Sequence, residues 1–152
     1  MAVRYVDVYP IRRSGDGWEL LTLRRAPGTR CTGAWEVVHG HLESEERPVA
    51  TALRELREET GFEAERLYNL SRVETFYRHT TDEVALIPVF IAVIAGRHDP
   101  RLGTEHDAFA WRRPDEAAKE LAWPRSARAV EDIVRIFKGV DAGPLEDVLR
   151  VC

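Results

Sequence analysis

Residues Gly40 to Phe62 read GHLESEERPVATALRELREETGF. As a pattern this is G-x5-E-x7-R-E-U-x-E-E-x-G-U, with U apolar. The fixed identities are Gly40, Glu46, Arg54, Glu55, Glu58, Glu59 and Gly61, and Leu56 and Phe62 fill the apolar places. Pro48 suits a first helical turn and Gly61 a helix stop, so the spacing predicts a helix from Pro48 to Thr60. Helical residues advance by about 100° each, which puts Glu55, Glu58 and Glu59 on one face. Val49, Ala52, Leu53 and Leu56 form a neighbouring apolar stripe that can pack on a sheet. The helix is therefore expected to be anchored by one stripe while Glu58 and Glu59 sit on its solvent side. Arg54 is the internal partner expected for Glu46, tying the preceding loop to the helix.

Three carboxylates this close repel one another and raise each other's pKa unless a cation sits among them. Clustered hard oxygens suit Mg²⁺ or Mn²⁺, which bind through a few carboxylates and the phosphates of a substrate. The competing reading is a solvated helix face laced with i,i+4 ion pairs. That reading must also explain two flanking glycines and Glu46 at their spacing. With residue frequencies of roughly 5–10%, seven fixed identities arise by chance about once in 10⁸ starts. The metal-binding reading is the stronger.

The segment resembles the Nudix box of the MutT-like hydrolases, with no substitution at a defining position. The resemblance implies an α/β/α sandwich with a mixed β-sheet. It also implies an enzyme that hydrolyses a nucleoside diphosphate linked to another moiety, with Mg²⁺ (or Mn²⁺) as cofactor. Carried over residue by residue, it makes Glu55, Glu58 and Glu59 metal ligands, Glu58 and Glu59 catalytic, and the backbone carbonyl of His39 a further ligand. Gly40, Glu46, Arg54 and Gly61 take structural roles. Many members have Pro-Gly-Gly where this chain has Val38-His39-Gly40, so the approach to the box differs.

The rest of the chain fits one domain of residues 1–152. Its 44% hydrophobic and 32% charged composition is that of a globular protein. A net charge of −4 and a pI near 5.8 argue against long nucleic acid as a partner. A small anionic, nucleotide-like substrate is compatible with them. The longest apolar stretch, Val84 to Ala95, is too short to span a membrane and contains Pro88. The N-terminus lacks the pattern of a secretion signal, and Cys31 and Cys152 read as reduced thiols, so a cytoplasmic protein is expected. The resemblance also admits a homodimer.

Strands are expected at Val3–Ile11, Trp18–Arg24, Ala34–Val38, Leu67–Tyr77, Glu83–Ala95 and Phe109–Arg112, with a hairpin turn at Ser14 to Gly17. His39-Gly40-His41 is expected to open a loop, and Pro88 to mark an edge strand or a bulge. Further helices are expected at Pro114–Leu121 and Arg125–Lys138, with a short one at Pro144–Arg150. Together these predict one α/β domain with a mixed sheet.

Outside the box, Glu105 in Thr104-Glu105-His106 is the candidate general base or additional metal ligand. Arg24 and Arg25 are candidate phosphate grips, because guanidinium forks match phosphate oxygens; for Arg30 a surface ion pair is the better reading. His41 could touch phosphate. Trp111 is a candidate for base stacking, as are Trp123 and Tyr77, with core packing the alternative for each. Thr104-Glu105-His106, Trp111, Ala117-Ala118, Trp123 and the helix ending at Phe137 together resemble the dihydroneopterin triphosphate pyrophosphohydrolase subgroup. A pterin or nucleoside triphosphate releasing pyrophosphate is the expected substrate. Dinucleoside polyphosphates, nucleotide sugars and ADP-ribose are the alternatives within the class, and a ligand-sensing or protein-binding module is the alternative outside it.

Overall fold

A computed structural model describes residues 2–152. In chain order the strands and helices are β1 (Ala2–Val3), β2 (Tyr5–Ser14), β3 (Gly17–Arg25), β4 (Trp35–Glu36), β5 (Val38–His41), α1 (Pro48–Thr60), β6 (Arg66–Arg78), β7 (Glu83–Val93), β8 (His106–Arg112), α2 (Pro114–Glu120), α3 (Pro124–Ile136) and α4 (Glu146–Leu149). A 3₁₀ turn at Gly143–Leu145 leads into α4.

The strands form one mixed eight-stranded sheet. β7 lies inside it, parallel to β1 and β2 and antiparallel to β6. β2 divides its other edge between two partners: Tyr5 to Val8 pair with β5, and Ile11 to Ser14 pair with β3. Pro10, which has no N–H to donate, falls in the gap between those two ladders. β3 continues outward to β4 and β8.

Both faces of the sheet are covered, which explains the nearly continuous apolar run of β7. Val89, Ile91 and Val93 join one core with Tyr9, Ile11, Leu20 and the inward residues of α2 and α3: Ala117, Ala129, Val130 and Ile133. Phe90, Ala92 and Ile94 join the other core with Val6, Val8, Leu21, Leu23 and the α1 stripe of Ala52 and Leu56. Alternate residues of one strand thus feed opposite cores, as the two-residue side-chain period requires. The result is the α/β/α sandwich.

Helix α1 runs from Pro48 to Thr60, the expected bounds. Gly61 ends it in the left-handed conformation (φ 75°), and its N–H bonds the Arg57 carbonyl at 2.8 Å. That conformation carries little strain only for glycine, which is why the stop was readable.

Three expectations need correction. His39-Gly40-His41 is strand, not loop: it belongs to β5 and pairs with β2 through Asp7↔His39 and Val6↔Gly40. The single strand expected over Ala34–Val38 is two, β4 and β5, flanking Val37. Of the two readings of Pro88, the edge strand is wrong, since β7 is interior, while the bulge is present in its pairing: the five residues Asn69 to Val73 of β6 lie opposite the three from Phe90 to Pro88.

Leu56 is fully buried and follows Glu55 directly on α1. Leu56→Ala should cost about 2–5 kcal/mol by leaving a cavity between helix and sheet. Urea unfolding measures this, and a loss below about 1 kcal/mol would mean α1 is not held by this contact.

Candidate active site

Arg54 ties the box together. Its Nε and Nη2 donate to the two oxygens of Glu46 at 2.8 and 2.9 Å. Nη2 also reaches the His41 carbonyl at 2.8 Å, while Nη1 donates to Glu55 at 3.0 Å and Glu58 at 3.1 Å. Glu46 accepts further hydrogen bonds from Thr51 Oγ1 at 2.7 Å and the Glu43 N–H at 3.1 Å. Arg54 first, then Thr51, hold the Glu46 carboxyl down to about 2.

The three helix glutamates share a face but not an environment. Glu58 is exposed. Glu55 is partly buried against β5: a Cβ on Gly40 would stand 2.1 Å from the Glu55 carboxyl carbon, so glycine there makes room for this carboxylate. Burial pushes the Glu55 pKa up, with Arg54 opposing it. Glu59 does not face solvent as expected. It is only 5% exposed, and among the described residues neither of its oxygens has a hydrogen-bond partner. Burial, then the charges of Glu55, Glu36 and Glu105, push its pKa well above the ordinary value. The nearby His39 backbone amide opposes this without reaching hydrogen-bond geometry.

A buried carboxylate without donors is unfavourable unless a cation compensates it. The donor set therefore fits a hard divalent ion. Glu36, Glu59 and His106 each bring a donor atom within 4.8 Å of the others and would suit such an ion, with Glu55 and Glu58 on the same face of α1.

Of these groups, Glu36 and Glu55 border a cavity of about 540 Å³. Glu55, Gly40, Glu36, Glu105, Arg25 and Arg30 belong to its acidic end, where Arg25 Nη1 lies 3.6 Å from both Glu36 and Glu105. Tyr5, Phe76 and Trp123 supply aromatic surface, and the Arg125 guanidinium stands 5.0 Å over the Trp123 ring. Asp7 joins the two sets. It is 1% exposed, accepts from Arg125 Nε at 2.9 Å and lies 2.6 Å from His39 Nδ1. Burial works against its ionisation, but His39 and then Arg125 prevail and hold its pKa below the usual range.

Of the residues expected to bind substrate, Arg25 and His41 line this cavity; Arg24 and Trp111 do not. Arg24 pairs with Asp107 at 2.9 Å. Trp111 packs in the α1-side core beside Phe62, beneath the Arg12 guanidinium. Tyr77 points its hydroxyl at Asp82, and its neighbour Phe76 reaches the cavity instead. His39 lines the cavity with its side chain. Sequence reasoning passed over Asp7, Glu36 and Arg125. A lone aspartate inside the apolar strand YVDVYPI was a usable signal; nothing local marked the other two.

A buried, unpartnered carboxylate next to a cavity lined by carboxylates, guanidinium groups and aromatic rings marks the candidate site. The NUDIX domain family matches residues 1–133, and the chain belongs to it. The chain is 34% identical over 116 residues to the octanoyltransferase of Myxococcus xanthus, a match covering 72% of this chain and 30% of that protein. It is 30% identical over 103 residues to the asymmetrical bis(5'-nucleosyl)-tetraphosphatase of Rattus norvegicus, covering 66% and 68% of the two chains. In structure it matches the E. coli dihydroneopterin triphosphate pyrophosphohydrolase with a TM-score of 0.70 at 21% identity, over 86% of this chain and 94% of that one. That likeness is one of fold. The chain spans less than a third of the octanoyltransferase's length.

Two outcomes are expected. Gly40→Ala should displace Glu55 and lower turnover by about 10²-fold, because the added methyl meets the end of a movable side chain and not backbone. A parallel thermal melt should show the fold kept; full turnover in this variant would refute the packing argument. The Glu46 pKa is depressed from an ordinary 4.5 to about 2, so its stabilising contribution is present above 4.5 and lost as pH falls toward 2. Glu46→Gln should therefore be less stable than the parent at neutral pH, with the gap closing through that acid window in pH-dependent urea melts.

Proposed function

We propose that the chain is a metal-dependent pyrophosphohydrolase that cleaves a phosphoanhydride bond in a nucleoside or pterin triphosphate. The observation that carries this reading is the cavity joining Glu55 of α1 and Glu36 of β4 to Arg25, Arg30, Arg78 and Arg125 and to the rings of Tyr5, Phe76 and Trp123. Its size suits one base or pterin with a short phosphate chain, since small-ligand sites run about 300–1,000 Å³.

When bound, divalent metal would neutralise the diphosphate and lower the pKa of an attacking water. The residues divide the remaining work. Glu55, Glu58 and Glu59 hold the cation on a helix that Arg54 and Leu56 keep in place. Arg25 and Arg30 draw phosphate oxygens toward the acidic end. Glu105, which Arg25 steadies from 3.6 Å, accepts the water proton on a carboxylate oxygen. Trp123, with Arg125 behind it, offers a flat face to the heterocycle.

The dinucleoside polyphosphate reading is the second choice, favoured by the similarity to the rat tetraphosphatase. Retention of every box glutamate supports an enzyme over a sensor.

Pyrophosphate and phosphate release should be measured with Mg²⁺, with Mn²⁺ and with chelator, over dihydroneopterin triphosphate, the common nucleoside triphosphates, ADP-ribose and diadenosine polyphosphates. Metal-dependent pyrophosphate release from one triphosphate is expected, and turnover only of the diadenosine compounds would favour the second reading. Glu58→Gln should lose at least about 10²-fold in turnover. Glu105→Gln should lose about 10²–10⁴-fold, the usual contribution of a general base. A change below tenfold would remove Glu105 from that role.

A further inference from the structure

His106 opens β8 with its side chain wholly shielded from solvent. Three approaches of the chain put it there. The Arg101 N–H bonds the Thr60 carbonyl at 2.8 Å, and the Ala26 N–H bonds the Glu105 carbonyl at 2.9 Å. Between them, Gly103 passes so close to α1 that a Cβ on it would stand 3.2 Å from the Glu58 carbonyl oxygen. The loop is thereby laid on the end of the box helix, with the imidazole between Glu36 and Glu59.

The two ring nitrogens meet different neighbours. Nε2 lies 3.2 Å from Glu36 Oε2, within hydrogen-bond distance. A carboxylate oxygen accepts, and Glu36 also lies 3.6 Å from the Arg25 guanidinium. The ring proton therefore belongs on Nε2, and Nδ1 presents a lone pair. That lone pair faces Glu59 Oε1 at 3.7 Å. Among the described residues, Nδ1 and both Glu59 oxygens are buried without a hydrogen-bond partner.

With Glu59 ionised, these three buried acceptors have no donor among them and are mutually repulsive and poorly solvated. A cation between them removes the conflict. The 3.7 Å gap exceeds the roughly 2.7–3.2 Å of a hydrogen bond. It suits two donors each about 2.0–2.2 Å from one ion. One donor atom from each of Glu36, Glu59 and His106 also falls within 4.8 Å of the others. A carboxylate that fixes the tautomer of a histidine whose other nitrogen is free is the usual support of a metal-ligating imidazole.

We infer that His106 Nδ1 and Glu59 form a nitrogen-containing position for a divalent transition metal, with Glu36 orienting the imidazole. The inference rests on the reading of Glu59 as a metal ligand and adds the ion's chemical class. Imidazole nitrogen suits transition metals such as zinc, iron and nickel best; Mn²⁺ favours oxygen ligands but accepts a nitrogen more readily than Mg²⁺, which prefers an all-oxygen octahedron. The chain should therefore bind Mn²⁺ more tightly than Mg²⁺ through a contact that the box alone does not supply.

The test is Mn²⁺ binding to the metal-free full-length chain, followed by electron paramagnetic resonance with electron spin echo modulation. The expected result is a bound-Mn²⁺ signal with ¹⁴N modulation that changes to the ¹⁵N pattern in ¹⁵N-histidine-labelled protein. His106→Gln should abolish the nitrogen coupling and weaken Mn²⁺ binding at least about tenfold while leaving Mg²⁺ binding within about threefold. Glu36→Gln, which keeps the imidazole, guards against a misfolded His106→Gln; it should retain the coupling and weaken Mn²⁺ binding about 10–100-fold. Mn²⁺ that binds without nitrogen coupling, or coupling that survives in His106→Gln, overturns the nitrogen position and leaves the carboxylate site standing. Failure of Mn²⁺ to bind at all overturns both.

Discussion

The Arg54 guanidinium is the contact on which the site depends. One planar group holds the Glu46 carboxylate bidentately, the His41 carbonyl, and one oxygen each of Glu55 and Glu58. It thereby fixes the loop before α1, the end of β5 and the carboxylate face of α1 relative to one another. A lysine could supply the charge but not this fan of donors at fixed angles. Arg54 also offsets the mutual repulsion of Glu55 and Glu58.

Position on the helix sets which glutamates are neighbours, and the surroundings decide what each can do. Glu58 looks into solvent, Glu55 rests against the bare backbone of Gly40, and Glu59 is sealed beneath the loop that carries Glu105 and His106. A single-sided carboxylate face would bind a cation loosely and exchange it with water. Here one carboxylate is buried, one half-buried, and one exposed. On the proposed reading, that gradient would suit an ion held by the protein on one side and by substrate oxygens on the other.

The box and the bounds of α1 were legible because their signals are local: a proline at the start, a glycine at the stop, and fixed intervals between charged residues. The pairing of Arg54 with Glu46 followed from the same spacing. The β5 strand was not legible, because its register comes from β2, about thirty residues earlier: Asp7 and His39 are separated by 32 positions. Polarity alone made His39-Gly40-His41 look like a loop. Trp111 illustrates a second limit. Alternation along β8 shows that its residues face two ways but not which way leads to the cavity, and Trp111 turned to the α1-side core. Glu59 shows a third. Helical periodicity gave its direction from the axis, but the loop that covers it comes from over forty residues downstream.

The same non-local packing separates what the box supplies from what it cannot. Its glutamates come from one helix, so their spacing travels with the sequence motif wherever it occurs. The far end of the cavity is assembled from β2, β6 and the start of α3, where Tyr5, Asp7, Phe76, Trp123 and Arg125 meet only because the sheet brings them together. Asp7 is the joint between the ends: Arg125 holds one oxygen and His39, on the strand that carries Gly40, holds the other. The aromatic end of the cavity is therefore linked through Arg125 and Asp7 to β5, one residue from the glycine under Glu55. On the proposed reading, the surface that selects the substrate's ring and the placement of the Glu55 carboxylate share one backbone segment, so substitutions at Asp7 or Arg125 would disturb both together.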